Sequence, residues 1–118
     1  MPTGTMVVAK RGELAVGTTK KFYLDCGGRE VEAFVVNHRG EHHAFINQCR
    51  HVPMTMDWVE NQFLTEDGCY LQCATHGALF EPATGLCIDG PPLGKALHRV
   101  ALEWRGDDLI ALCPTELP

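Results

Sequence analysis

The chain has 118 residues, 45% apolar and 21% charged, a composition expected of one ordinary globular domain with a modest core. Acidic residues outnumber basic ones 15 to 10, and no Lys/Arg run exceeds a pair (Lys10-Arg11, Lys20-Lys21), which argues against nucleic acid as a partner. The apolar run Met6-Val7-Val8-Ala9 is only four residues long, too short for a signal peptide, and nothing approaches a membrane span, so a cytoplasmic location is expected.

Taken in chain order, the pattern is all-β. Lys20 to Asp25 reads as a short strand, Cys26-Gly27-Gly28-Arg29 as a turn, and Glu30 to Val36 as a partly alternating strand rich in Val and Phe. Asn37-His38-Arg39-Gly40 turns the chain again before His43-Ala44-Phe45-Ile46. Met54 to Asn61 can form a short helix. Further strands fall around Tyr70-Leu71-Gln72, Leu86-Cys87-Ile88, Ala96 to Trp104 and Leu109 to Leu112, with Arg105-Gly106-Asp107-Asp108 as the last hairpin turn. Many short strands with glycine-marked turns predict a small sandwich or barrel. There is no internal repeat, linker or low-complexity segment, so residues 1–118 read as a single domain.

Two short pieces carry the chemistry. Cys49-Arg50-His51 and Cys73-Ala74-Thr75-His76 each supply one thiolate and one imidazole, with 21 residues between them. Two cysteines and two histidines from separate loops suit a binuclear iron–sulfur cluster held asymmetrically, one iron by both cysteines and the other by both histidines. Zinc is the chemical rival, since two cysteines and two histidines also make a tetrahedral site. Zinc fingers, though, usually place both cysteines in one motif and both histidines in the other, whereas here each motif is mixed.

The arrangement resembles the Rieske ferredoxin family. After His76, the run Gly77-Ala78-Leu79-Phe80-Glu81-Pro82-Ala83-Thr84-Gly85 is similar to the family's His-Gly, aromatic and Thr-Gly sequence, and Gly90-Pro91-Pro92 stands where the family has a proline loop over its cluster. The strand-turn spacing from Val7 to Ile46 is similar to the family's N-terminal half. The resemblance implies a small β-sandwich or barrel with a cluster-binding subdomain formed by two loops, about residues 47–92. It also implies one [2Fe-2S] cluster per chain on Cys49, His51, Cys73 and His76. One departure is the gap 52–72, which looks longer than usual and enlarges the loop around Asp57-Trp58-Val59-Glu60-Asn61, a change that costs only slowly growing closure entropy.

The same resemblance implies a role. Ferric ions, sulfides, two thiolates and neutral imidazoles sum to zero charge, two units less negative than a four-thiolate cluster, which raises the potential. High-potential relatives place hydroxyls two and four residues after the second ligand histidine, and a disulfide between the ligand loops. Here those hydroxyl positions hold Ala78 and Phe80, and the disulfide positions hold Met54 and Thr75. A low-potential cluster is expected. No catalytic constellation appears, and the chain stops at Pro118, short of the second domain a Rieske oxygenase subunit needs. The expectation is therefore a soluble one-electron carrier rather than an enzyme, passing electrons from a flavin-dependent reductase to a terminal oxygenase. Neither nucleic acid nor membrane is expected as a partner, and the oligomeric state is open, a monomer being compatible. The competing roles are a small subunit of a nitrite-reductase-type enzyme and a structural zinc module.

The remaining cysteines, histidines and tryptophans are given plainer roles. Cys69 and Cys87 read as small core residues on strands, and Cys26 and Cys113 as free thiols without a function. His38, His42, His43 and His98 read as surface or strand positions. Trp58 belongs to the enlarged loop and Trp104 to the core.

Overall fold

The computed structural model describes residues 5–47, 63–65, 68–73, 77–90 and 95–114. Among these residues the chain is built from strands alone: β1 (Thr5–Lys10), β2 (Thr19–Cys26), β3 (Arg29–His38), β4 (Glu41–Ile46), β5 (Leu71–Gln72), β6 (Leu79–Phe80), β7 (Cys87–Asp89), β8 (Arg99–Arg105) and β9 (Asp108–Leu112). They form a six-stranded antiparallel sheet in the order β1-β9-β8-β4-β3-β2 and a three-stranded sheet in the order β5-β6-β7. The all-β expectation is met, and the strands fall close to where the pattern placed them. Two were not read from sequence. β1 pairs with β9 at the sheet edge, and β6 is two residues long, inside the motif that follows His76.

Strands β2, β3 and β4 make a continuous meander. Cys26 faces Arg29 and His38 faces Glu41, leaving Gly27-Gly28 and Arg39-Gly40 as two-residue turns. All four turn residues have positive φ, the conformation whose twist suits a tight hairpin. The Asn37 side chain secures the second turn: its Oδ1 accepts from the Gly40 N–H (3.0 Å), and its Nδ2 donates to the Leu14 carbonyl (2.7 Å).

β3 explains the layering. Its residues Val31, Ala33 and Val35 point into the curved six-stranded sheet, together with Val8, Phe22, Leu24, Ala44, Ile46, Val100, Leu109 and Ala111. The alternate residues Phe34 and Val36, with Phe45 of β4, face the other way and form a second core with Phe63, Leu71, Cys73, Ala78, Phe80, Cys87 and Leu97 of the small-sheet region. A strand buried on both faces reads as a near-continuous apolar run, which is why its alternation looks only partial. Phe34 stacks on Phe63, with ring centroids 4.0 Å apart, and meets Phe45 at 5.9 Å.

Three sequence expectations are corrected. Cys26 and Cys113 are joined in a disulfide with Cα atoms 5.7 Å apart. The two lie 87 residues apart in sequence, and only curvature of the sheet brings the end of β2 to the end of β9. Cys69 is exposed, because the chain bends through 68–70 and β5 begins only at Leu71. Trp104 is 38% exposed at the end of the barrel, where the Arg11 guanidinium lies 4.4 Å from its ring centroid and His42 meets it edge-on at 5.3 Å. Cys87 is buried, as expected. The helix expected over Met54–Asn61, and Trp58 within it, lie outside the described residues.

Candidate cluster-binding site

Of the four expected ligands, Cys73 is described; Cys49, His51 and His76 lie outside the described residues. Cys73 directly follows β5 and is fully buried in the second core. A closed turn follows it. The Gly77 N–H donates to the Cys73 carbonyl (2.8 Å), and the Cys73 N–H donates to the Ala78 carbonyl (2.9 Å). The turn returns the chain as β6, which pairs with β5 through Leu71–Phe80 and Gln72–Leu79.

A third segment meets this turn. Gly90, just after β7, has φ +104, and a Cβ there would stand 2.8 Å from Ala78 Cα. Only glycine lets the start of the Gly-Pro-Pro segment lie flat against the turn that bears Cys73. Pro91 and Pro92 themselves fall outside the described residues. Beyond them the chain returns along β7: Cys87 N–H donates to Lys95 O and Leu97 N–H to Gly85 O, both at 2.8 Å.

Asn47, the last described residue before the first Cys/His motif, is buried. Its backbone N–H donates to the Glu32 carbonyl (2.9 Å) and its Nδ2 donates to Glu32 Oε2 (2.8 Å). Glu32 Oε1 also accepts from the Tyr23 hydroxyl (2.9 Å) and lies 3.2 Å from Lys21 Nζ. The Lys21 and Glu32 side chains are only 15% and 24% exposed, so this group is screened less than a surface pair. Residues 32 and 47 carry no motif, and nothing in the spacing marks them. We expect Glu32→Ala to lose ~1–3 kcal/mol of stability through the lost bonds to Asn47 and Tyr23 and the lost Lys21 ion pair, and to lower iron and acid-labile sulfide per chain. Glu32→Gln, whose carboxamide oxygen still accepts, should keep most of the loading. Full loading in the alanine variant would show that the anchor is dispensable.

The other side of the small sheet is keyed to the barrel by the β6–β7 turn. The Gly85 N–H donates to Glu81 O (2.6 Å), and Arg99 donates to the Ala83 carbonyl while its guanidinium covers the Phe45 ring. His42 and His43, on β4, belong to the barrel. Burial lowers both pKa values; nearby Arg11 adds to this for His42 and Arg99 for His43, so both imidazoles are neutral near pH 7. His43 Nε2 is 3.4 Å from Glu41 Oε2 but outside hydrogen-bonding geometry, and the contact with that exposed carboxylate only partly offsets the burial. Their place on a strand is the one the sequence suggested.

Among the described residues, no group of three or more His, Cys, Asp or Glu side chains is placed to hold a metal ion. The residues that are described still fit the expected cluster. A buried thiol stands at the end of a short sheet, on a turn closed by backbone hydrogen bonds and approached by a glycine-led third segment.

The described residues thus define an all-β domain of two sheets, an antiparallel barrel carrying a small sheet with a buried cysteine at the root of a closed turn. The chain belongs to the Rieske [2Fe-2S] domain family, whose sequence model matches residues 4–104. Its fold is similar to the ferredoxin of carbazole 1,9a-dioxygenase from Nocardioides aromaticivorans IC177 (TM-score 0.73, 18% identity, 95% of this chain and 100% of that one). It is also similar to a chain in the complex of reduced oxygenase and oxidized ferredoxin in carbazole 1,9a-dioxygenase (TM-score 0.75, 18% identity, 99% and 100% covered). A third likeness is to the terminal oxygenase of carbazole 1,9a-dioxygenase from Novosphingobium sp. KA1 (TM-score 0.76, 16% identity), where 98% of this chain covers 31% of that one. Comparison with curated proteins gives no match. No helix among the described residues is long and apolar enough to cross a membrane.

Proposed function

We propose that this chain is a one-electron carrier that holds a low-potential Rieske [2Fe-2S] cluster on Cys49, His51, Cys73 and His76. It takes electrons from a flavin-dependent reductase and delivers them to a terminal oxygenase. The observation that carries the reading is the paired Cys-x-His and Cys-x-x-His pattern lying inside the span matched by the family. When bound, the cluster supplies one reversible electron at a potential raised by its histidine ligands. The protein's part is to aim the ligands from a rigid sheet and to set the polarity around the sulfurs.

Likeness to chains that span a whole dioxygenase ferredoxin supports a carrier, and the complex of ferredoxin with oxygenase supports an oxygenase as the acceptor. An acidic chain, 15 carboxylates against 10 Lys and Arg, suits partners with a basic docking patch. Ala78 and Phe80, both fully buried, bring no hydroxyl to the turn after His76. The potential should therefore lie near ~−150 mV, the low end of the Rieske range.

Electron paramagnetic resonance of the dithionite-reduced protein tests the reading. A Rieske signal integrating to one spin per chain is expected; a four-thiolate signal, or a colourless protein containing zinc and no acid-labile sulfide, overturns it. A redox titration with a clearly positive midpoint would overturn the low-potential part alone.

A further inference from the structure

Neighbouring strands of the six-stranded sheet are hydrogen-bonded in the order β1-β9-β8-β4-β3-β2, which leaves β1 and β2 as its edges. The edges nevertheless share one interior, since Val8 of β1 packs in the same buried core as Phe22 and Leu24 of β2. A seam therefore runs between two strands that face each other across a common core. At one end the chain itself ties it. Residues 11–18 lead from β1 into β2, held by Gly17 N–H donating to Asn37 O (2.8 Å) and by Lys20 Nζ on Glu13 (2.7 Å).

At the other end the covalent tie is Cys26–Cys113. Cys26 is the last residue of β2, and Cys113 follows Leu112, which pairs with Thr5 at the start of β1. Both cysteines are half-buried and pack against the barrel core, so the bond lies at the rim, where an incoming thiolate can reach it. The Asp25 carbonyl lies 3.6 Å from Cys113 Sγ in the bonded state, an acceptor within reach of a thiol S–H once the bond is reduced.

We propose that Cys26–Cys113 is a redox-responsive clamp on the barrel seam, opened by dithiol reductants and reclosed on oxidation. In the opening step a reductant thiolate attacks one sulfur, the S–S bond breaks and a mixed disulfide forms. The reductant's second thiol then displaces the protein sulfur. Two electrons and two protons pass from the dithiol to the protein, which ends with two thiols while the reductant ends as a disulfide. Opening removes the covalent tie between the end of β2 and the end of β9, so the β1–β2 seam is no longer held at this end and both strands open more often. The clamp belongs to the barrel core and Cys73 to the other, so this couple is separate from the one-electron chemistry proposed above and does not rest on it.

The test is hydrogen exchange by mass spectrometry on the cluster-loaded protein with and without dithiothreitol, with thiols counted by alkylation. The expected result is two additional alkylatable thiols after treatment and about tenfold or more faster amide exchange in residues 5–10 and 19–26. Both changes should reverse on reoxidation. The Cys26→Ser, Cys113→Ser double variant should exchange fast throughout and ignore the reductant. Two cysteines fully alkylatable before treatment, unchanged exchange after confirmed reduction, or an equal response in the double variant would each overturn the proposal. The wild-type comparison stands on its own if the double variant fails to fold.

Discussion

Gly85→Ala is expected to lower the melting temperature by about 10 °C or more, a loss of ~3 kcal/mol in a domain of this size. Two costs add at this position. The backbone sits at φ +75, where an L side chain is strained, and an added Cβ would lie 2.6 Å from Phe45 Cε1 and 3.3 Å from Leu97 Cβ. Relief would require the Phe45 ring to move, and that ring is fully buried against Phe34, itself stacked on Phe63. Gly12→Ala is the control: its φ is +80, but nothing lies within 4 Å of the added Cβ. That variant should lose only ~1 kcal/mol, through the backbone alone. Equal melting temperatures for the two variants would show that the β6–β7 turn is not keyed to the barrel as described.

Cys73→Ser is expected to abolish the Rieske spectrum, while Cys87→Ser leaves it in place. The pair is informative because the two cysteines share one core and are both buried, at 0% and 2% exposure, at the two outer strands of the same small sheet. A burial effect would therefore strike both. Cys87 Sγ lies 3.2 Å from the Asp89 carbonyl, so a serine hydroxyl there finds an acceptor and little is lost beyond packing. Under the proposed function Cys73 supplies a thiolate that a hydroxyl replaces poorly. Loss of the signal in both variants would point to collapse of the small sheet, and retention in both would remove Cys73 from the ligand set.

What the sequence revealed follows from the range of the interactions concerned. The turns at Gly27-Gly28 and Arg39-Gly40 are local, so glycine and the neighbouring strand pattern place β2, β3 and β4 within a few residues. The Cys/His motifs are local too, which is why Cys73 and the turn after it stood out. Misses came where burial is decided by distant chain. Cys26 and Cys113 looked like stray thiols because pairing across 87 residues depends on how far the sheet curls. Trp104 alternates correctly into the barrel, yet it sits at the mouth, where Arg11 from another strand end covers it. Glu32 and Asn47 meet only after the meander is folded, so no spacing rule reports them.

β3 and β4 give both cores a single shared wall, with Val31, Ala33 and Val35 on one side and Phe34, Val36 and Phe45 on the other. The small sheet, with two-residue and three-residue strands, owns too little apolar surface to stand apart from that wall. The two sheets are thus separate in topology but not in cooperativity: the part that bears Cys73 inherits its rigidity from residues 31–46, and neither half can drift in shape without the other.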